Sequence, residues 1–224
     1  SWARDVYKRQ YMNSLISETE EKFTTVINHI GCMSEWQAKH ILKTYLNCSA
    51  QQANSVLNNL KTLKYIDYSA VAKAYISGSK SRDVSSKVDF RTIESFDICL
   101  DFVKDFEDLQ FISIPTDGFD LMFIGNNIFY KTIHLTANEL YKVGMLQNKY
   151  YDAVRLPSGK IEERMGYTTM FVVSNSENIN NLLDKLMELE LTMPHVIVYI
   201  TGVNDEGCLL YTSPSPRDGL LSRM

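Results

Sequence analysis

Three closely spaced capping boxes constrain this chain more than any other sequence feature. Each box is an S-x-x-E/Q pattern, and the pairs are Ser17 with Glu20, Ser34 with Gln37, and Ser49 with Gln52. In such a box, the serine and the residue three positions later satisfy each other's free backbone N–H groups at the start of a helix. Helix starts this close together predict three short helices that bury their apolar sides against one another.

Apolar residues at helical spacing follow each box. The three sets are Phe23, Val26, Ile27 and Ile30; then Ala38, Ile41, Leu42 and Tyr45; then Ala53, Val56, Leu57, Leu60 and Leu63. Gly31 follows the first set and predicts the end of the first helix. Two short β-prone runs, Tyr65–Tyr68 and Ala74–Ser77, follow the third helix. This order predicts a winged helix-turn-helix over residues 11–78.

The third helix carries the candidate DNA-binding residues. If its apolar set faces the core, the outward side chains are Gln51, Asn54, Ser55, Asn58 and Lys61. Amides of Asn and Gln match the edge of adenine in the major groove, and Lys39, Lys43 and Lys64 are candidates for phosphate contacts. Double-stranded DNA is therefore the predicted partner. The alternatives are a merely solvated helix face and a winged helix that binds protein.

The distribution of charge also separates the predicted winged helix from the rest of the chain. The whole sequence has 224 residues and a net charge of −4. Residues 11–87 hold nine basic and six acidic side chains, a net charge of +3, whereas residues 88–207 hold nine and nineteen, a net charge of −10. Only the first part is therefore suited to a polyanion. Residues 79–87 are polar and serine-rich, which predicts a linker.

Residues 88–207 predict a compact α/β domain with the order αβββαβαβ. The predicted helices are Asp89–Phe106, Thr136–Gln147 and Ser176–Leu191, and the predicted strands are Leu109–Ile114, Phe119–Ile124, Ile128–Leu135, Tyr167–Val173 and His195–Thr201. The turn sequences PTDG and GNN separate the first three of these strands. Together the two parts predict an α+β and α/β fold class.

Two resemblances suggest a function. The run VLNNLKTLKYIDY resembles the recognition helix and first wing strand of winged helices in replication and mobile-element proteins. The αβββαβαβ order resembles the restriction-endonuclease-like fold, and the combination resembles the replication-relaxation family of mobile elements. This resemblance implies a bacterial DNA-binding accessory or regulatory protein of plasmid replication or mobilisation, acting as a homodimer or with a replication or mobilisation protein.

The nuclease resemblance also implies a metal site, which this sequence matches only in part. In that family an acid begins the second strand and a D/E-x-K triplet lies on the third. Asp120 or Asp117 matches the first acid, Lys131 matches the lysine, and Phe129 stands where the middle carboxylate belongs. Phenylalanine cannot ligate Mg²⁺. We therefore expect a degenerate site without metal. The alternative is a metal-dependent nuclease whose acids, Asp117 and Asp120, have been relocated.

Both ends of the chain resemble translated sequencing adapter. The runs VYKRQ (residues 6–10) and CLLYTSPSPRD (residues 208–218) back-translate to tagmentation adapter codons. Residues 1–10 and 208–224 are therefore predicted to lie outside the fold, around a fragment of metagenomic origin. No run of about 18 apolar residues predicts a membrane span, and the cysteine spacing predicts reduced thiols. The sequence thus favours a cytoplasmic protein without a membrane partner, and no cofactor is indicated.

Overall fold

A computed structural model describes residues 16–78, 88–154, 167–174, 179–203 and 209–212. The chain is a mixed α+β protein with two sheets. Its internal contacts divide it into two compact units, residues 1–93 with 105–112 and residues 94–104 with 113–224. The predicted linker, residues 79–87, and the predicted N-terminal tail, residues 1–10, lie outside the described residues.

The first unit begins with three helices. These are α1 (Glu18–Ile30), α2 (Glu35–His40), which continues into a π-helical turn over Ile41–Tyr45, and α3 (Ala50–Thr62). All three capping boxes form with both of their hydrogen bonds, and α1 ends at Gly31, whose φ is 82°. A cap of this kind contributes about 1 kcal/mol to helix stability. The three predicted helix starts are confirmed.

The predicted apolar sides of these helices form the core of the first unit. The residues with at most 2% exposure are Phe23, Val26, Ile27, Ile30, Ala38, Ile41, Leu42, Ala53, Leu57 and Leu60. Tyr45, Val56 and Leu63 are only half-buried, so the buried stripe of α3 is narrower than predicted. Burial of a large aliphatic side chain contributes about 1.5–3 kcal/mol.

A three-stranded antiparallel sheet completes the first unit. Its strands are β1 (Cys32–Ser34), β2 (Ile66–Ser69) and β3 (Ala74–Ser77), in the order β1-β3-β2. Strands β2 and β3 fall on the two predicted runs. Strand β1 was not predicted, because three residues between two helices are too few to show an alternating pattern.

The remainder of the described chain alternates helices and strands. The elements are α4 (Phe90–Phe102), α5 (Phe106–Leu109), β4 (Leu121–Gly125), β5 (Ile128–His134), a 3₁₀ turn (Ala137–Glu139), α6 (Leu140–Val154), β6 (Thr168–Ser174), α7 (Ile179–Glu188), β7 (His195–Val203) and β8 (Leu209–Thr212). The first residues of α4 and all of α5 belong to the first unit, and the other elements belong to the second unit.

The second unit is built on a five-stranded mixed sheet in the order β4-β5-β6-β7-β8. Strands β4 and β5 form a hairpin through Asn126 and Asn127, whose φ angles are 51° and 63°. Asparagine tolerates this left-handed conformation, which two-residue hairpin loops require. Strands β5, β6 and β7 are parallel, and β8 is antiparallel to β7. Residues 170–173 of the central strand β6 are fully buried.

The predicted strand Leu109–Ile114 is wrong. Leu109 ends the short helix α5, and only Ser113 forms an isolated bridge, to Met122 of β4. Pro115 follows closely and has no N–H with which to extend that pairing. Phe111, at 61% exposure, also faces solvent. The predicted αβββαβαβ order therefore lacks its first strand.

Other observed boundaries differ from the predicted ones by a few residues. Helix α4 ends at Phe102, before the predicted Phe106, and α6 continues to Val154, beyond the predicted Gln147. A capping box at Thr136 and Glu139 opens the 3₁₀ turn before α6, as predicted. Strand β8 lies within residues 208–224, which the sequence predicts to lie outside the fold. For residues 209–212 that prediction is wrong, because they pair with β7.

Gly125→Ala tests the close packing of β4 on α4. A Cβ at this position would lie 2.5 Å from the Cβ of Phe102, so we expect the free energy of unfolding to fall by about 1–3 kcal/mol. Gly144→Ala is the matched control, because Gly144 lies in helix α6 with no atom within 4 Å of the added Cβ. There we expect a gain of up to about 1 kcal/mol. Urea unfolding measures both, and equal effects would contradict the packing.

Candidate nucleic-acid interface

Helix α3 presents its polar side chains outward, as the sequence predicts. Every candidate base-contacting residue on it is exposed: Gln51, Asn54, Ser55, Asn58 and Lys61. Ala53, Leu57 and Leu60 on the opposite side are buried. The helix therefore offers a continuous row of amides, a hydroxyl and an ammonium group. A row of this kind provides the donors and acceptors that a base edge requires.

The four candidate phosphate-contacting lysines differ in availability. Lys43, Lys61 and Lys64 are exposed, and within the described residues none of the three forms an ion pair. Lys39 is half-buried, and its Nζ lies 2.6 Å from Oε1 of Glu35, one turn earlier on α2. Among the described residues, three of these cations thus lack an acidic partner, whereas the fourth is paired with Glu35.

A partly buried polar contact connects α3 to α1. The side-chain amide of Asn59 donates to Oε1 of Glu20 at 2.6 Å, and Glu20 is only 6% exposed. Burial raises the pKa of Glu20, but the hydrogen bonds from Asn59 and Ser17 outweigh it, and the net pKa lies below its ordinary value. The charged carboxylate of Glu20 therefore fixes α3 to α1 through an exposed residue, Asn59, that is not one of the candidate base-contacting residues.

The β2–β3 hairpin adds a cation that the sequence analysis did not single out. Lys73 is exposed at the turn, with φ of 48°. Its carbonyl accepts a hydrogen bond from the N–H of Glu35 at 2.9 Å. Val71, at the tip, is fully exposed. The turn joins two short strands that the sequence predicted. The position of Lys73 between these strands was the feature that could have identified it as a candidate.

The structure pairs Asp117 with Lys131 in the second unit. Asp117 Oδ2 and Lys131 Nζ lie 2.6 Å apart. The ammonium also lies 5.0 Å from the ring centre of Phe119 and 4.6 Å from that of Tyr167. Cations over aromatic faces are stabilised electrostatically. These contacts are those of a lysine with a structural role in packing.

Asp120 has different partners from Lys131. Its Oδ2 accepts from the backbone N–H of His134 at 2.6 Å and lies 3.0 Å from Nδ1 of the same residue. On the other side of the imidazole, Nε2 lies 2.9 Å from Oε2 of Glu94 on α4. This second contact has ion-pair distance without the alignment of a hydrogen bond. Ser174, at the end of β6, donates to the same Glu94 oxygen.

The Glu94–His134–Asp120 cluster places a buried imidazole between two partly buried carboxylates at one end of the sheet. The side chains are 29%, 5% and 13% exposed, respectively. Burial lowers the pKa of His134, but contacts with Asp120 and Glu94 raise it more, so the net pKa lies above its ordinary value. Sequence reasoning found Asp120 but not its two partners. His134 lies near the end of a predicted strand and Glu94 lies on a predicted helix, and neither position indicated that they meet.

Among the described residues, no group of three His, Cys, Asp or Glu side chains is arranged to hold a metal ion. Phe129, which replaces the carboxylate of the D/E-x-K triplet, packs edge-on against Tyr167. Within the described part of the chain, no helix has the length and apolar content to cross a membrane.

Comparison with known proteins adds no family. No protein-family model matches the sequence, and no curated protein matches it. The proposed function therefore rests on the geometry of α3, and the predictions on stability rest on the geometry of the Glu94–His134–Asp120 cluster.

The His134 cluster predicts that stability falls as the pH rises above about 6.5, the ordinary pKa of histidine. Because the pKa of folded His134 is raised above 6.5, its contribution is complete below about pH 6.5 and is lost as pH rises through the folded value. Asp120→Asn should weaken this dependence and cost about 1.5–3 kcal/mol, the contribution of a hydrogen bond to a charged group. Urea unfolding between pH 6 and 9 measures both effects.

Asp117→Asn is the matched control, because it removes a nearby acid whose side chain is 44% exposed. An exposed ion pair contributes about 0–1 kcal/mol, and this variant should keep the wild-type pH profile. An Asp120→Asn profile identical to that of wild type would contradict a charged His134 in the folded protein.

Proposed function

We propose that residues 16–78 form a winged helix-turn-helix that binds double-stranded DNA, and that the chain is an accessory or regulatory protein of plasmid or mobile-element replication or mobilisation. The observation that carries the DNA-binding part is the outer side of α3. It exposes five polar residues in one row, from Gln51 to Lys61, while its inner side is buried in the core and Asn59 bonds to Glu20 of α1.

The arrangement of elements supports the winged-helix assignment. Three helices are combined with a three-stranded antiparallel sheet, and β1 lies between α1 and α2. The β2–β3 hairpin follows α3 directly, as a wing follows a recognition helix. In this arrangement α3 enters the major groove and α2 crosses the backbone.

The side chains then divide into two roles. Asn54 and Asn58 lie one turn apart on α3, so their amides are positioned to read neighbouring base edges. Lys43, Lys61 and Lys64 are exposed cations suited to the phosphates on either side. Phosphate contacts set affinity and register, and base contacts set sequence preference.

The second unit is proposed to serve contacts with a second copy or with a replication or mobilisation protein. Its mixed sheet is consistent with a restriction-endonuclease-like ancestry, although the predicted first strand is absent. Lys131 is engaged by Asp117 and two aromatic rings, and Asp120 is engaged by His134. These partners occupy the side chains that a nuclease would need for metal and water.

DNA binding is tested with the full chain and a randomised duplex library. Lys61→Ala should weaken binding to all sequences and lower the salt slope by about 1, because one phosphate contact is lost. Asn54→Ala or Asn58→Ala should instead relax sequence preference, at a cost of about 1–3 kcal/mol for the best site. Fluorescence anisotropy across a salt series measures these changes.

Lys142→Ala is the matched control for Lys61→Ala, because Lys142 lies in the second unit and pairs with Glu139 at 2.6 Å. It should leave the salt slope unchanged. If wild-type protein shows no salt-dependent affinity for any duplex, the DNA-binding proposal fails, and a winged helix that binds protein becomes the better assignment.

Absence of nuclease activity is the second expectation. The full chain should leave supercoiled plasmid intact in Mg²⁺ or Mn²⁺, because Phe129 cannot ligate a cation and Lys131 is held by Asp117. Agarose gels over a time course measure nicking and linearisation. Cleavage that disappears in both Asp120→Ala and Lys131→Ala would overturn the expectation and favour an altered nuclease.

A further inference from the structure

Glu35 is an acid placed among cations of the proposed DNA-binding unit. It is the first residue of α2, and its two carboxylate oxygens have different partners. Oε1 lies 2.6 Å from Nζ of Lys39, and Oε2 accepts the hydroxyl of Tyr68 on β2 at 2.9 Å. Its backbone N–H donates to the carbonyl of Lys73. The residue therefore connects α2 to the hairpin.

The charge of Glu35 affects each of these groups. Lys39 and then Tyr68 hold the pKa of Glu35 below its ordinary value, and the charge of Lys73 adds to the effect. The same contact raises the pKa of Tyr68. Glu35 is thus ionised at neutral pH, and its charge lies beside a lysine that the sequence analysis assigns to a phosphate.

We propose that, in the free protein, the carboxylate of Glu35 pairs with Lys39 in the place that a DNA phosphate takes in the complex. DNA binding then requires Lys39 to exchange this carboxylate for a phosphate of the duplex. The inference rests on the proposed DNA-binding function and adds a residue that limits affinity at that site. A lysine–carboxylate pair that remains accessible to solvent is weak and screened by salt, so a polyanion can displace it.

The charge balance makes this one acid important. Between residues 16 and 78 there are six lysines, no arginine and five acids, a net charge of +1. Glu18 is paired with Lys22 on α1, and Glu20 is held by Asn59. Removing the charge of Glu35 would raise the net charge of this segment to +2 and release a lysine at the same time.

Glu35→Gln tests the exchange in the full chain with a fixed duplex. Glutamine keeps the side-chain length and still accepts the Tyr68 hydroxyl. We expect tighter binding and a salt slope steeper by about 0.9, which makes the gain in affinity about three- to fourfold larger at 50 mM than at 200 mM salt. Glu35→Ala should show the same gain, and thermal unfolding checks that both variants fold.

Glu18→Gln is the matched control, because Glu18 forms the same kind of pair with Lys22, also at 2.6 Å and one turn away. It changes the net charge equally and should not steepen the slope. Lys39→Met made together with Glu35→Gln should abolish the gain, since the released lysine is what meets the phosphate. Tyr68→Phe removes only the hydroxyl contact with Glu35. It therefore distinguishes an effect of the Glu35 charge from an effect of its hydrogen bond to the hairpin.

The outcomes separate this inference from the proposed function. If wild type binds and Glu35→Gln shows no greater gain than Glu18→Gln, or if Tyr68→Phe reproduces the gain, the inference is overturned and DNA binding stands. Binding by Glu35→Gln alone would support the inference in its strongest form. If neither wild type nor Glu35→Gln binds any duplex, both proposals fail.

Discussion

Reciprocal capping at the starts of α1, α2 and α3 is the constraint on which the first unit depends. Each serine fixes the first residue of its helix, and that residue sets which side chains reach the core along the next turns. A shift of one position at Ser49 would rotate α3 by about 100°. Ala53, Leu57 and Leu60 would then leave the core, and the row from Gln51 to Lys61 would lose its outward orientation.

The second unit depends on a polar contact as well as on apolar packing. His134 ends β5, Asp120 precedes β4 and Glu94 belongs to α4, so one imidazole connects three segments. Thr132, on the same side of β5, donates to Ser95 of α4 at 2.9 Å. A side chain committed to such contacts is costly to remove. The polar side of this sheet therefore contributes to the stability of the second unit.

The sequence predicted elements whose pattern is local and missed those whose pattern depends on distant partners. Capping boxes and apolar periodicity located α1, α2 and α3, because both act within a few residues. The run Leu109–Ile114 has the composition of a strand, yet it lacks a continuous neighbour to pair with. The partnership of Glu94 with His134 joins residues far apart in the chain, and no spacing rule connects a helix to a strand end across such a distance.

The same distinction explains which parts of the proposed interface could be seen in advance. The exposure of Asn54 and Asn58 follows from the period of α3 and was correctly predicted. The restraint on Lys39 depends on Glu35 and on the hydroxyl of Tyr68, a residue of the following sheet. A lysine with an acid one turn earlier is usually a pair on a solvated face; here the contact with Tyr68 ties that acid to the β2–β3 hairpin. Acids placed in this way keep the net charge of the unit low. The proposed DNA binding would therefore depend more on the match of α3 to its groove than on general attraction to phosphate.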